Sequence, residues 1–384
     1  MTNSWQDMQN SECFLIAGSN CAECHPIAMK WVNRARAKGA KVIVVDPRFT
    51  RTASQADIFA QIRPGTDIAY LGAMINYYIE NKLYNEFYVM NFTNALYKIS
   101  KDFKFNDGLF SGFNPETRKY DYASWAYQLD AEGKPVKAAS LDDPDCVFQK
   151  LKAHYSRYTF DVASKITGIP VAKIKLIADT FAAANPGNIF YALGMTQHTT
   201  GVQGIRCYAI IQLLLGNMGK AGGGIQALRG EPNVQGSTDM ANLNANLPGY
   251  IPYPTNQEKT LNDFAMKKGS VQYKPLVALL KAWFGKNATA ENEYGYQWLP
   301  KNNPSNMPTQ THFFGKMEEG QFKLLLNWGS NSTVSIPDRK MVARGLSKLE
   351  MLVVADIFNT ETAQFWKEEG LNPAKIPTEV IFLP

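Results

Sequence analysis

The feature that most constrains the fold is a pair of short apolar runs, each followed at once by polar turn residues. Cys13–Ala17 leads into Gly18-Ser19-Asn20, and Lys41–Val45 leads into Asp46-Pro47-Arg48. Apolar runs of this length are typical of strands buried on both faces of a parallel sheet. Between the two runs, Pro26 favours the start of a helix. This order predicts a βαβ unit whose ligands bind at the carboxyl ends of the strands.

The same rhythm continues along the chain. A third strand is predicted near residues 59–62, before Pro64-Gly65-Thr66-Asp67, where Thr66 or Asp67 is suited to cap the next helix. Further strands are predicted at 188–193, 322–326 and 351–355, and helices at 27–37, 69–79, 146–154, 171–184, 202–215 and 276–284. Residues 101–145, rich in turns and aromatic residues, are expected to form an irregular excursion.

Length and a change in composition predict two domains. A chain of 384 residues with 45% hydrophobic residues is long enough for two cores. After Gly222-Gly223-Gly224, proline, asparagine and glycine dominate to about residue 255. The prediction is an α/β fold of two parallel-sheet, Rossmann-like domains, 1–230 and 231–384, the second of them incomplete.

Charge and hydropathy exclude some classes of protein. The net charge of +6 comes from 40 basic and 34 acidic side chains spread along the chain, which does not favour nucleic acid as a partner. No run approaches the roughly 18 to 20 apolar residues that a membrane-spanning helix needs. No secretory signal is visible at the start, and five cysteines make no disulfide framework.

One short motif has three interpretations. Cys21-Ala22-Glu23-Cys24-His25 matches the pattern for covalent haem attachment, and its two thiols are also possible metal ligands. The motif falls in a turn between a buried strand and a helix, where a porphyrin has little room. No second Cys or His pair accompanies it at a suitable spacing. A structural role in a tight turn is therefore favoured over both.

Several strand ends carry residues suited to a phosphate-containing ligand. Gly18-Ser19-Asn20 allows close approach to the main chain, and Asp46 occupies the position where such folds often bind ribose hydroxyls. Gly65-Thr66-Asp67 suits a phosphate or a guanine edge at a helix N-terminus. Structural alternatives stay open at this point, because Asp46 is able simply to begin an Asp-Pro turn and Gly65-Thr66-Asp67 simply to cap a helix. The G-x-G-x-x-G spacing of nicotinamide and flavin folds is absent.

A loop arginine is the candidate anion-binding residue. Arg229 follows a glycine triplet and precedes Gly230, and a planar guanidinium there is suited to bind a small carboxylate bidentately. The alternative is a solvated surface arginine. Gln197 and His198 follow the predicted strand at 188–193. Their structural alternatives are that Gln197 simply ends the strand and that His198 is a satisfied or exposed histidine.

Taken together, these segments resemble the catalytic subunit of respiratory formate dehydrogenases, within the molybdopterin oxidoreductases of the dimethyl sulfoxide reductase type. The resemblance is collinear over nearly the whole chain and is carried by residues 45–53, 62–69, 191–198, 212–219, 228–236 and 288–292. The family binds two molybdopterin guanine dinucleotides, which hold molybdenum or tungsten. The resemblance implies contacts to one dinucleotide from Gly18, Ser19, Asn20, Asp46, Arg48, Gly65 and Asp67, with Leu193, Gly194 and Gln197 near a pterin. It implies contacts to the other from Gly329, Asn331, Ser335, Asp356 and Thr360.

The resemblance also implies an activity. Arg229 matches the arginine that orients formate in this family, so the expected reaction is oxidation of formate to carbon dioxide. Electrons then pass to iron–sulfur clusters. The implied partners are an iron–sulfur electron-transfer subunit, with a membrane cytochrome subunit as a further candidate, in the periplasm. No metal ligand is expected from this chain.

The departures from the family pattern predict a fragment. The cysteines for a [4Fe–4S] cluster and the selenocysteine or cysteine metal ligand are expected before residue 1, and a C-terminal domain is expected after residue 384. An in-frame UGA codon for selenocysteine upstream of Met1 would explain such a start. Two alternatives stay open: another molybdopterin oxidoreductase, or a cofactor-binding fragment that is inactive by itself.

Overall fold

The computed structural model describes residues 1–106, 108–230, 234–241, 246–303 and 309–384. The chain divides into two compact units, Met1–Pro232 and Asn233–Pro384. Residues 231–233, next to the domain boundary predicted at residue 230, lie outside the described residues. Each unit contains its own parallel sheet.

Unit 1 contains a five-stranded parallel sheet. Its strands are β1 (Cys13–Ala17), β2 (Lys41–Val45), β3 (Ile58–Ala60), β8 (Gly187–Tyr191) and β9 (Gly224–Ala227). Their order across the sheet is β3-β2-β1-β8-β9, so β1 lies at the centre. Leu15 on β1 is paired with Ile43 on one side and Ile189 on the other. The carboxyl ends of all five strands therefore meet at one edge.

Helices cover both faces of this sheet. They are α1 (Cys21–Cys24), α2 (Pro26–Arg36), α3 (Asp67–Glu80), α4 (Glu86–Phe92), α5 (Val147–Tyr155), α6 (Phe160–Thr167), α7 (Val171–Ala183), α8 (Leu193–Thr196) and α9 (Gly201–Leu215). Successive side chains of a strand point to opposite faces. Leu15 accordingly belongs to the core formed with α3 and α9, whereas Phe14 belongs to a second core that contains Val32 of α2.

Buried amides connect the amino ends of β8 and β9 to α9. The Gln212 Nε2 amide donates to the carbonyl oxygens of Gly187, at 3.0 Å, and Gly224. Asn217 Nδ2 donates to Gln212 Oε1 at 2.8 Å. Gln212 and Asn217 are fully buried. This amide pair, Gln212 and Asn217, fixes the start of β9 relative to β8.

Unit 2 is built around a three-stranded parallel sheet. Its strands are β12 (Leu324–Trp328), β13 (Met351–Ala355) and β14 (Glu379–Leu383), in that order. The helices of the unit are α10 (Val234–Asp239), α11 (Leu261–Lys268), α12 (Tyr273–Phe284), α13 (Gln310–Glu318), α14 (Ser332–Ser335) and α15 (Arg339–Leu346). Val354 of β13, Phe314 of α13 and Leu346 of α15 share one core. The unit also contains a small antiparallel pair, β10 (Asn246–Leu247) and β11 (Ile251–Pro252), and several short 3-10 helices.

The predicted α/β fold with parallel sheets is confirmed, with local differences. The bounds of β1, β2 and β13 are those predicted from the sequence. The strand predicted at 188–193 ends at Tyr191, because Leu193–Thr196 form a helical turn. The strand predicted at 322–326 is shifted to Leu324–Trp328.

The excursion predicted at 101–145 contains only two-residue strands among its described residues. They are β4 (Phe105–Asn106), β5 (Leu109–Phe110), β6 (Phe113–Asn114) and β7 (Lys119–Tyr120). Aromatic rings pack together here, with the ring centroids of Phe110 and Trp125 separated by 5.1 Å.

Within the described ranges, no helix is sufficiently long and apolar to cross a membrane.

Candidate functional site

The first candidate cleft is formed where β1 and β8 end. Gly18 follows β1 with a φ of +57°, a conformation that favours glycine. The Gly194 amide donates to the Gly18 carbonyl oxygen at 3.1 Å. A Cβ atom on Gly18 would lie 2.6 Å from the carbonyl carbon of Gly194, and one on Gly194 would lie 2.7 Å from the Gly18 Cα. Only two glycines allow the strand tips to approach this closely.

A buried threonine joins the first of these tips to the loop after β2. The Thr52 hydroxyl donates to Asn20 Oδ1 at 3.0 Å and accepts a hydrogen bond from the Ala22 amide at 2.9 Å. The Thr52 amide also donates to Asn20 Oδ1, at 3.3 Å. We call Asn20 and Thr52 the first Asn–Thr clasp. The clasp fixes the loop after β1 relative to the loop after β2.

Two carboxylates follow β2 and β3: Asp46 comes directly after β2, and Asp67 is the first residue of α3, the helix after β3. Asp46 is only 9% exposed, and its Oδ1 accepts a hydrogen bond from the Arg48 amide at 2.9 Å. Burial raises the pKa of Asp67, and the nearby charge of Asp46 raises it further, whereas His198 opposes this shift. Asp67 therefore lies within electrostatic range of both Asp46 and His198.

Thr66 occupies the predicted N-cap position of α3, but the capping hydrogen bond expected from its side chain is not formed. No side-chain hydrogen bond caps α3. The Thr66 hydroxyl instead donates backwards to the Arg63 carbonyl oxygen at 2.7 Å. Gly65 has a φ of +78°, and no other atom lies within 4 Å of an added Cβ. Helix capping by a side chain thus does not explain this segment.

Arg229 lies two residues beyond β9, a strand that the sequence analysis did not predict. The Leu228 amide donates to the Tyr191 carbonyl oxygen at 2.9 Å, which continues the pairing of β8 and β9. The Arg229 carbonyl oxygen is bonded to His25 Nε2 at 2.6 Å. The side chain of Arg229 is exposed. Burial raises the pKa of Tyr191, and the positive charge of Arg229 opposes that shift.

Unit 2 repeats the arrangement of the first cleft with different residues. Gly329 follows β12 with a φ of +53°. The Thr362 hydroxyl donates to Asn331 Oδ1 at 3.0 Å and accepts from the Thr333 amide at 3.1 Å. We call Asn331 and Thr362 the second Asn–Thr clasp. Asp356, at the end of β13, accepts from the Phe358 amide at 3.3 Å, as Asp46 accepts from Arg48.

The remaining residues that were predicted to contact the cofactor differ in how deeply they are buried. Thr360 has a buried hydroxyl with no hydrogen-bond partner among the described residues. Ser335 is exposed at the end of α14. Leu193 is 64% exposed, and Gln197 is also exposed. The orphaned hydroxyl of Thr360 is the most direct indication of a polar ligand in unit 2, because a buried hydroxyl without a partner is unfavourable.

The Cys-x-x-Cys-His segment has one buried and one exposed cysteine. Cys21 is buried with its Sγ 3.3 Å from Met29 Sδ, and burial raises the pKa of its thiol to about 11. Cys24 is exposed. A thiol directed into the core is not available to attach a haem. Within the described part of the chain, no group of three His, Cys, Asp or Glu residues is arranged to hold a metal ion.

Sequence reasoning missed Thr52, Thr362 and His25. A signal for the two threonines was present, since Gly-Ser-Asn occurs at 18–20 and at 329–331. In each half, an aspartate precedes a Thr-Ala pair by six residues, from Asp46 to Thr52 and from Asp356 to Thr362. No fixed period reveals this repeat, because long helical segments separate its parts.

Matching glycine turns and Asn–Thr clasps at the carboxyl edges of two parallel sheets define an α/β protein with a similar candidate cleft in each unit. The chain belongs to the molybdopterin oxidoreductase family, whose model matches residues 1–366. This match confirms the family expected from the resemblance.

Two proteins with similar sequences are formate dehydrogenase subunits. The chain is 44% identical over 400 residues to formate dehydrogenase 2 subunit alpha (cytochrome c-553) of Nitratidesulfovibrio vulgaris. It is 43% identical over 405 residues to the formate dehydrogenase-O major subunit of Escherichia coli. Each alignment covers 100% of this chain and 40% of the relative, so the chain spans about two fifths of their length. Acetylene hydratase from Pelobacter acetylenicus matches with a TM-score of 0.49 and 19% identity, over 94% of this chain and 42% of that protein.

Proposed function

We propose that this chain is part of a formate dehydrogenase that oxidises formate to carbon dioxide at a bis(molybdopterin guanine dinucleotide) centre holding molybdenum or tungsten. The observation that carries the proposal is the position of Arg229, fixed beyond β9 at the same sheet edge as Gly18, Asp46 and Asp67. The similarity to two formate dehydrogenase subunits over the whole chain supports it.

The two clefts fit dinucleotide ends. Gly18 and Gly329 follow their strands with positive φ, so main chain rather than side chain faces a ligand at these turns. Asp46 and Asp356 are suited to accept hydrogen bonds from ribose hydroxyls, and Asp67 from the N–H edge of guanine. The unpartnered hydroxyl of Thr360 supports a polar ligand in unit 2. The further contacts proposed from the family are those of Ser19, Asn20, Arg48, Gly65, Leu193, Gly194, Gln197, Asn331 and Ser335.

Arg229 is the proposed substrate-binding residue. Its planar guanidinium is suited to bind the formate carboxylate bidentately and to orient the C–H bond. The reaction converts one formate anion to carbon dioxide, one proton and two electrons. When bound, the cofactor supplies the two-electron redox centre for this reaction. The cysteine or selenocysteine ligand and the iron–sulfur cluster that receives electrons belong, in this proposal, to other parts of the longer protein.

The proposed partners are an iron–sulfur electron-transfer subunit and a membrane cytochrome subunit, in the periplasm. The name of the Nitratidesulfovibrio vulgaris relative includes cytochrome c-553, which supports electron transfer to a cytochrome.

The test is the Arg229→Ala variant of the full-length enzyme, assayed with formate and an artificial electron acceptor. We expect kcat/KM for formate to fall by about 100-fold or more, since one positioning interaction commonly supplies that factor. Arg36→Ala is the matched control, because Arg36 ends α2 and so lies toward the amino edge of the sheet. Unchanged formate turnover in Arg229→Ala would remove Arg229 from the proposed substrate site, whereas no formate turnover by the wild-type enzyme would favour another molybdopterin oxidoreductase. Metal and guanine analysis of the isolated chain tests whether it binds cofactor without activity.

A further inference from the structure

The contact between His25 and Arg229 joins two loops at the candidate site. His25 Nε2 lies 2.6 Å from the Arg229 carbonyl oxygen. Because a carbonyl oxygen only accepts hydrogen bonds, the ring proton is on Nε2, which donates. His25 Nδ1 is buried and has no hydrogen-bond partner among the described residues. Nε2 is therefore the ring atom through which His25 acts on another part of the chain.

The histidine ring has a fixed position. His25 lies directly between α1 and α2, just after the loop that follows β1. Its ring centroid is 6.0 Å from that of Trp5, which is in turn 6.4 Å from the ring of Phe190 on β8. Phe190 is fully buried. A ring held in this way is a rigid donor for the main chain of Arg229.

Arg229 needs such a donor. The preceding residue, Leu228, is tied to the sheet through the Tyr191 carbonyl oxygen. The guanidinium itself is exposed at the end of a flexible side chain. Bidentate binding of a carboxylate depends on the position of the arginine main chain, because the fork geometry tolerates little displacement.

We propose that His25 is a positioning residue for Arg229, holding its carbonyl oxygen so that the guanidinium is directed at a small carboxylate substrate. This proposal rests on the proposed function. His25 acts through Arg229 and itself contacts neither the substrate nor the reacting atoms. The interaction needs only an N–H donor at this position, so glutamine, whose amide nitrogen reaches about as far as Nε2, replaces the histidine, whereas the shorter asparagine does not.

The experiment compares His25→Asn and His25→Gln in the full-length enzyme, with rates normalised to metal content so that partly loaded preparations remain comparable. We expect His25→Asn to raise KM for formate by about three- to tenfold, the loss expected for one neutral hydrogen bond, with kcat nearly unchanged. His25→Gln restores KM to within about twofold of the wild-type value. His312→Asn is the matched control, since His312 is exposed on α13 in unit 2.

A double-mutant cycle separates the two proposals. If His25 acts through Arg229, His25→Asn has no further effect on formate turnover in the Arg229→Ala background. The positioning role is overturned if His25→Asn has the same effect with and without Arg229, or if His25→Gln is as impaired as His25→Asn. It is also overturned if Arg229→Ala lowers kcat/KM for formate and His25→Asn leaves kcat/KM unchanged. Full activity of Arg229→Ala in formate oxidation overturns the substrate-binding role of Arg229, and with it the positioning role of His25.

Discussion

The main chains of Gly18 and Gly194 are in direct contact. The Gly194 amide donates to the Gly18 carbonyl oxygen at 3.1 Å, and a Cβ atom on either residue would approach the other's main chain to 2.7 Å or less. This contact joins the tips of β1 and β8. The first cleft therefore depends on the absence of two side chains as much as on the presence of others.

Substitution of Gly194 by alanine is expected to destabilise unit 1. The added Cβ would lie 2.7 Å from the Gly18 Cα and 2.8 Å from its carbonyl oxygen, so one of the strand tips must move. We expect the free energy of unfolding to fall by about 1–3 kcal/mol, as for other overpacked sites. Urea denaturation of the chain measures this change. Gly230→Ala is the control, because no atom lies within 4 Å of its added Cβ; equal effects of the two variants would refute the contact.

Substitution of Thr52 by valine is expected to weaken the first Asn–Thr clasp. Valine has nearly the shape of threonine, but it leaves the Ala22 amide without its acceptor and Asn20 Oδ1 with only the main-chain amide of residue 52 as a donor. We expect a loss of about 1–3 kcal/mol in the free energy of unfolding, because the groups left unsatisfied are partly or fully buried. The exposed Thr117→Val is the control. A Thr52→Val chain as stable as the control would show that the clasp contributes nothing to folding.

Substitution of Asp67 by asparagine is expected to change how stability depends on pH. Burial raises the pKa of Asp67 from its ordinary value of 3.8, so the folded chain holds this proton more tightly than the unfolded chain. The contribution of Asp67 to stability is therefore largest below pH 3.8 and decreases as the pH rises through the raised pKa of the folded state. The Asp67→Asn variant lacks this pH-dependent loss of stability. Its free energy of unfolding, relative to that of the wild type, should therefore increase as the pH rises from 3.8 through the raised pKa of Asp67 in the folded state. Thermal unfolding at several pH values measures it, and Asp142→Asn controls for the change in net charge.

The same Asp67→Asn variant is expected to lose cofactor. An asparagine presents an N–H group where the carboxylate would accept hydrogen bonds from guanine. Guanine analysis of the full-length enzyme should therefore show a lower nucleotide content than for the wild type. A gain in stability together with a loss of nucleotide distinguishes a ligand-binding carboxylate from a structural one. Full nucleotide content in Asp67→Asn would remove Asp67 from the proposed contacts.

Substitution of Arg229 by lysine is expected to impair formate binding although it keeps the charge. An ammonium group lacks the planar fork that binds a carboxylate through two parallel hydrogen bonds. We expect KM for formate to rise by roughly tenfold or more in the full-length enzyme, with metal content unchanged. Steady-state kinetics measure this effect. A wild-type KM would indicate that charge alone suffices and that bidentate geometry is not used.

The central strands were predictable because burial on both faces leaves a plain signal. β1, β2 and β13 are nearly uninterrupted apolar runs between polar turns, and their bounds follow directly. β9 was not predicted, because Gly224–Ala227 has only four residues and begins at the last glycine of a triplet that is typical of a loop. β14 (Glu379–Leu383) was also missed, although Val380–Leu383 is apolar. Its place in the sheet comes from pairing with β13, which is a long-range contact.

Individual residues at the candidate site were predictable from their positions at strand ends, but their contacts were not. Asn20 and Thr52 are 32 residues apart, and His25 and Arg229 are 204 residues apart. Only the fold brings such pairs together. Capping by Thr66 was predicted from local preference, and a competing hydrogen bond to Arg63 prevents it.

The amide pair Gln212 and Asn217, at the amino end of β9, has a consequence at a distance. Gln212 sets the start of β9 through the Gly224 carbonyl oxygen, and Arg229 lies two residues after the strand ends. Because β9 spans only four residues, little chain is available to absorb a shift at its start. We therefore expect a defect in this buried amide to displace the main chain at Arg229 and, under the proposed function, to weaken the affinity for formate.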